Sequence, residues 1–360
     1  MRKRVTAKDV ARRAGVSAAT VSYVLNDNPT QSISDKTRER VRAAIRELQY
    51  APNMAAKALR RSESGCVGVV IKKNLTVPRF SQMLEGIQEE LEARGYSIML
   101  CGDRVQGNGY PDYLNAYLEN RVDGVIYIGT DNAGPDAESR AFIGRERVPF
   151  VVFDCREEAA EYSTADLDYE GGARLVAGRV FARAARRVLY LRPEMDTPQE
   201  RLRERAVREA AASHPGIELD VCRVPIDASN VEAWDERYSR GSTEQTRELV
   251  DQLVRRFVEH ARRLQAGDAV ICSWSNWIEA IRTTSPVSGL VYGELACNGE
   301  TLITADYFTR LPNVETGALC ARLVLAQVEG GEPSHELVGL GCSLGGEPAS
   351  APAGREAAGS

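Results

Sequence analysis

Residues 9–26, DVARRAGVSAATVSYVLN, set Ser17, Ala18, Ala19, Thr20, Ser22 and Tyr23 among the apolar Val16, Val21, Val24 and Leu25. Small and polar side chains on one face of a short helix let a backbone come close to the floor of a nucleic-acid groove. They also offer a few hydrogen-bonding groups to base edges and phosphates. Lys3, Arg4, Lys8, Arg12, Lys36 and Arg38 supply cations around that face. This is chemistry of recognition. Residues for bond-making are harder to find: no G-x-G-x-x-G follows a strand-like run, and there is no G-x-x-x-x-G-K-[ST]. The three histidines, His214, His260 and His335, are isolated, so neither a metal nor another cofactor is expected. The eight cysteines are scattered among apolar neighbours with no C-x-x-C pair, as small hydrophobes would be.

The charge is as uneven as the motifs. Residues 1–61 carry 14 Lys and Arg against 5 Asp and Glu, a net of +9. The rest carries 32 against 46, a net of −14, so the whole chain stands at −5. A basic head on an acidic body points to a polyanionic partner for the head alone. No apolar run is long enough to span a membrane, and Met1-Arg-Lys-Arg leads into polar helix, which predicts a cytoplasmic protein.

The elements that position the polar face are short. Thr6 and Asp9 fit a capping box, Gly15 ends the first helix, and Ser17 caps a second that runs to about Asn26. Asn28-Pro29 breaks the chain, and Ser34-Asp35 opens a third helix with Val41, Ala44, Ile45 and Leu48 at the 3.6 period. Three helices sharing one small core predict a helix-turn-helix domain over 1–50. Pro52-Asn53 then precedes a segment, 54–61, of about two helical turns.

VTAKDVARRAGVSAATVSYVLN, with ISDKTRERVRAAIRELQYAPNMAAKALR after it, resembles the head of the lactose-repressor (LacI/GalR) family of bacterial regulators over nearly every position from Val5 to Arg60. The resemblance implies that the second helix reads the major groove through Ala18, Ala19 and Tyr23. Thr6, Ser17, Thr20, Ser22, Asn26, Lys36 and Asn53 would lie at or near the DNA backbone. It also makes residues 51–63 a hinge helix and linker, with Leu59 as a minor-groove wedge, Ala56 facing the partner hinge, and Lys57 and Arg60 near phosphates.

Beyond residue 64, apolar strand runs such as CVGVVI and VPFVVFD alternate with helical patterns about every 30 residues, the mark of a doubly wound α/β fold. The pattern restarts near residue 170. The body resembles the effector core of the same family, which is similar to periplasmic sugar-binding proteins. The expected fold is therefore an all-α helix-turn-helix head plus a periplasmic-binding-protein-like core, 64–345, of two doubly wound parallel-sheet lobes. Lobe 1 is placed at about 64–160 plus 292–328 and lobe 2 at about 161–291 plus 329–345, with 346–360 a disordered end.

The family resemblance implies effector contacts at Phe80, Asp154, Asp168 and Arg203, with Arg201 as the second choice because TPQERLRERAV can slide. The departures are informative. Where the family usually has Asn-Asp after a core strand, this chain has Ser273, Trp274, Ser275, Asn276 and Trp277, so the carboxylate that holds hydroxyls is missing. Trp274 and Ser275 take its place as candidates, which points to a ligand other than a simple hexose. The segment 227–245 is longer and more charged than the family pattern.

The expected function is a sequence-specific DNA-binding transcriptional regulator, a repressor, whose operator affinity is set by a small-molecule effector between the lobes. Expected partners are double-stranded operator DNA, that effector and a second copy in a homodimer, with no membrane partner. The expected location is the bacterial cytoplasm, at the nucleoid when bound. The competing reading is an α/β small-molecule-binding protein or carbohydrate-related enzyme with an unrelated basic head.

Overall fold

A computed structural model describes residues 5–25, 33–50, 63–129, 133–156, 159–235, 243–298 and 304–345. The chain divides into two compact units, Met1–Gly65 and Cys66–Ser360.

The first unit is built from α1 (Ala7–Ala14), α2 (Ala18–Leu25) and α3 (Asp35–Glu47). The Thr6 N–H donates to Asp9 Oδ2 at 2.9 Å and its hydroxyl to the same oxygen at 2.6 Å, so the first turn starts where the capping pattern predicts. Gly15 then adopts φ 65°, a left-handed conformation that a side chain would strain, and turns the chain out of α1. Ser17 Oγ accepts from the Thr20 N–H at 3.1 Å to start α2, and Ser34 Oγ accepts from the Thr37 N–H at 3.4 Å to start α3. Helices this short are marginal alone. They are held by a shared core of Val10, Ala11, Ala14, Val21, Val24, Val41 and Ala44. Arg13 clasps Glu47 with contacts of 3.0 and 2.7 Å, tying α1 to α3. Both partners are exposed, so the pair adds about 0–1 kcal/mol.

The second unit carries two six-stranded sheets among the described residues. In chain order its first lobe holds β1 (Cys66–Ile71), α4 (Pro78–Ala93), β2 (Ser97–Leu100), α5 (Asp112–Leu118), β3 (Gly124–Ile128), α6 (Ala137–Glu146), β4 (Phe150–Phe153) and β5 (Ser163–Leu167). The second lobe follows with α7 (Tyr169–Phe181), β6 (Arg187–Pro193), α8 (Pro198–Ala212), β7 (Glu218–Val224), α9 (Val231–Asp235), α10 (Glu244–Ala261), β8 (Ala269–Cys272), α11 (Trp277–Arg282), β9 (Val291–Cys297) and β10 (Tyr307–Arg310). The chain then returns for α12 (Asn313–Val328) and β11 (His335–Val338), and the last described strand is β12 (Ser343–Leu344). The first sheet has the order β11-β5-β4-β3-β1-β2, with every pairing parallel. The second has β12-β10-β9-β8-β6-β7 and is parallel except for β12 against β10. The central strands β3, β4 and β8 are buried along their whole length, as apolar runs covered by helices on both faces must be.

The sheets correct the expected division of the lobes. β5, expected after the crossing, completes the first sheet. β9 and β10, expected to return to the first lobe, pair in the second, while α12 goes back and packs on α4. β11, expected in the second lobe, pairs with β5 in the first. Strand runs in both lobes have the same local character, and the sheet each one joins is decided by pairing far along the chain. The α4–α12 contact is tight. A Cβ on Gly86 would lie 1.9 Å from the Val314 carbonyl oxygen, and one on Gly317 2.1 Å from that of Met83.

Candidate functional site

In the head, Val21 and Val24 turn inward, which sets the other side of α2 outward. Ser17, Ala18 and Ala19 are exposed, and Thr20, Ser22 and Tyr23 are half-buried. The structure thus brings these six candidates onto one helix and its cap. Two of the hydroxyls also work locally, since Ser17 Oγ and Thr20 Oγ1 lie 2.9 Å apart. Thr6 is similarly occupied by Asp9. Lys8, Arg12 and Lys36 are exposed, whereas the half-buried Arg38 donates to the Ile33 carbonyl at 3.4 Å and holds the start of α3. Asn26, Asn53, Ala56, Lys57, Leu59 and Arg60, with the expected hinge helix and the chain end 346–360, lie outside the described residues.

In the second unit a cavity of about 180 Å³ opens between the lobes at the carboxyl ends of their strands. This is where ligands bind to open α/β sheets. Phe80, Asp154, Arg203, Trp274 and Ser275 all line it. Asp168 does not: its carboxylate accepts from the Gly171 N–H at 2.8 Å and caps α7. A short acceptor side chain directly before a helix is placed to cap it, and here the cap is the role the structure shows. Arg201 is exposed and pairs with Asp196 at 3.1 Å, so of these two arginines Arg203 is the one that lines the cleft.

Two buried carboxylates organise the cleft. Asp154, at the end of β4, accepts from the Tyr169 hydroxyl at 2.7 Å, from Gln199 Nε2 at 2.8 Å and from Arg79 Nη2 at 3.4 Å. Arg156 stands 3.6 Å from its other oxygen. Burial lifts the Asp154 carboxyl above its ordinary range, against the pull of Arg79, Arg156 and the Tyr169 hydroxyl. Burial likewise opposes the charge on Arg79, but Tyr169 and Asp154 outweigh it and raise its pKa. Asp154 and Arg156 both take left-handed backbone angles, φ 57° and 61°. Such strain costs about 1–3 kcal/mol per residue and persists where the surroundings over-determine it.

The second carboxylate, Glu200 near the start of α8, was not legible as a site residue. It accepts from Arg203 Nη1 at 2.8 Å, from the Trp274 indole N–H at 2.9 Å and from the Ser273 hydroxyl at 2.7 Å. Arg203 also lies over the Tyr169 ring, 4.7 Å from its centre. Arg79, Tyr169 and Gln199 were missed for the same reason as Glu200: each reaches its partner from a different element. Trp234, from the charged segment beyond residue 227, lines the cleft and packs near Trp274 and Trp277 at 6.4 and 6.0 Å between ring centres. Ser275 Oγ accepts from Asn298 Nδ2 at 3.0 Å.

Gly341-Cys342-Ser343-Leu344-Gly345 has the G-x-S-x-G spacing of a hydrolase nucleophile elbow, which corrects the expectation that the chain lacks that motif. Ser343 nevertheless sits in β12, an antiparallel strand, and not at a strand-to-helix turn. Among the described residues no cluster of His, Cys, Asp and Glu could hold a metal, and no helix is long and apolar enough to cross a membrane.

The family model described as bacterial regulatory proteins, lacI family, matches residues 6–53. A second, described as periplasmic binding proteins and sugar binding domain of LacI family, matches residues 64–179. Over these two stretches the chain is similar to the lacI family of bacterial regulatory proteins. Among its curated relatives is the HTH-type transcriptional repressor PurR of Erwinia tasmaniensis, 33% identical over 176 residues, 48% of this chain and 50% of that protein. PurR of Klebsiella pneumoniae is 30% identical over 223 residues, 58% of this chain and 62% of the relative. The alignments to the first of these relatives span about half of their length. Of solved structures, a lac repressor dimer bound to operator and the anti-inducer ONPF aligns with TM-score 0.67 and 20% identity over 94% of this chain and 98% of that one. A transcriptional regulator CelR–cellobiose complex aligns with TM-score 0.56 and 22% identity over 95% and 99%. These structures share the fold of this chain.

Proposed function

We propose that the protein is a sequence-specific DNA-binding transcriptional repressor that acts as a homodimer in the bacterial cytoplasm. Its affinity for a double-stranded operator is set by a small molecule held in the inter-lobe cleft. The observation that carries this reading is the outward face of α2, Ala18, Ala19, Ser22 and Tyr23, on a basic three-helix head in a chain that also holds a polar cleft. Alanines at 18 and 19 offer only methyl contacts to bases, so Tyr23 supplies the hydrogen-bonding readout. Ser17, Thr20 and Lys36 contact phosphates, and the hinge residues Leu59, Ala56, Lys57 and Arg60 contribute minor-groove and backbone contacts. A ligand changes operator affinity only through unequal binding to two states of the core. The family's members are regulators and not enzymes, and the competing enzymatic reading gains no support from a cleft whose carboxylates are held by arginine, tyrosine and tryptophan.

The test is a gel-shift titration of the full chain with the DNA upstream of its own gene. Tighter binding than to random DNA of equal length at physiological salt is expected. Equal binding to both would overturn the autoregulating form of the proposal.

A further inference from the structure

Most of the carboxylate oxygens of Asp154 and Glu200 are already engaged. Asp154 Oδ2 accepts from Tyr169, Gln199 and Arg79, its buried Oδ1 faces Arg156 at 3.6 Å, and the two oxygens of Glu200 accept from Arg203, Trp274 and Ser273. A polyhydroxylated ligand needs such acceptors and would have to break this network to reach them. Donors, by contrast, remain. Nε of Arg79 and Nε of Arg203 are buried without a hydrogen-bond partner, and the Arg203 side chain is only 3% exposed. Unsatisfied buried donors on a guanidinium favour an oxyanion.

The charge of the cleft sets how large that anion is. Lys73, Arg79 and Arg203 line it, with Arg156 against Asp154, and Asp154, Glu200 and Asp235 oppose them. The balance is a single positive charge, which suits one carboxylate better than a dianionic phosphate. The remaining wall is aromatic and aliphatic. The Trp274 ring is fixed by its bond to Glu200 and by Trp277, 5.7 Å away, and is half-buried, with Phe80, Val77 and Leu311 in the same lining. A cavity of about 180 Å³ is below the size range of drug-sized sites and suits one ring. Asn298 Oδ1, also without a partner, offers an acceptor to a ring hydroxyl.

We propose that the cleft takes a small planar aromatic monocarboxylate, with its ring against Trp274 and Phe80 and its carboxylate on Arg203 and Arg79. This rests on the reading of the cleft as an effector site.

The experiment is calorimetric titration of the full chain with benzoate, 4-hydroxybenzoate, benzyl alcohol, cyclohexanecarboxylate and glucose, repeated with Arg203→Lys. Saturable binding of the two aromatic acids is expected, with benzyl alcohol, cyclohexanecarboxylate and glucose each weaker by about tenfold or more. Arg203→Lys, which keeps the charge beside Glu200 but loses the planar fork, is expected to weaken benzoate by a similar factor while melting near the parent. Absence of saturation by either aromatic acid would overturn the proposal. So would glucose or benzyl alcohol binding as tightly as the acids, or unchanged benzoate affinity in folded Arg203→Lys. Parallel gel shifts separate the two readings. If benzoate binds in the calorimeter without changing DNA affinity, the ligand assignment stands and effector control falls. If a different metabolite changes DNA affinity while the acids do not bind, the reverse holds.

Discussion

At the scale of single residues, the cleft is organised by partners that lie far apart in sequence. Glu200 joins Arg203, three positions on, to Ser273 and Trp274 on another element, and both it and Arg203 are almost fully buried. Removing one member of such a pair strands the other charge away from water. Glu200→Ala is expected to destabilise the protein by about 3–5 kcal/mol in urea unfolding and to change tryptophan emission as the Trp274 N–H loses its acceptor. Parental stability in this variant would show that the carboxylate is not an organising group. The cysteines give a second expectation. Burial pushes the Cys222 and Cys320 thiols up to about 12 and holds Cys272 well above its ordinary value. Because the thiolate is the reactive form, these three are expected to resist iodoacetamide at pH 8 in the folded protein and to react once it is unfolded. Rapid labelling of any of them in the native state would contradict that.

At the scale of elements, local chemistry decides much of the fold. Thr6, Asp9, Gly15 and Ser17 start and stop the head helices where their residue types predict, because capping is settled within four residues of chain. The strands CVGVVI and FVVF were equally legible as buried apolar runs. The sheet that each strand joins was not. β10 and α12 are adjacent in sequence, yet one pairs in the second sheet and the other packs on α4 of the first lobe. The site shows the same division. Phe80, Asp154 and Arg203 were found through their family motifs, while Arg79, Tyr169, Gln199 and Glu200 become visible only when the lobes bring them together. Asp168 caps α7, a role that its position before that helix suits as well as the cleft rim that the family resemblance implies. The α4–α12 crossing carries its own prediction. Gly86→Ala would drive a methyl into the Val314 carbonyl, and backbone cannot yield cheaply. A loss of about 1–3 kcal/mol or more is expected from overpacking, read in thermal or urea unfolding. An unchanged midpoint would show that the two helices separate freely.

At the scale of the whole molecule, charge and architecture divide the work. The first 61 residues are net positive by nine within a chain that is net negative by five. A head of this kind holds DNA largely through phosphate neutralisation, which releases counterions. Operator affinity is therefore expected to fall by orders of magnitude between about 50 and 200 mM salt, read as the slope of log affinity against log salt. A flat titration would contradict the electrostatic account of the head.

The central claim is that the face of α2 reads sequence, as part of a chain acting in pairs. Selection of bound fragments from a randomised DNA pool by the full chain tests it most directly. The account predicts enrichment of one site made of two half-sites related by two-fold symmetry, weakened when Tyr23 is changed to alanine. Recovery of a pool no different in sequence from the starting one, despite retention of DNA by the protein, would contradict it.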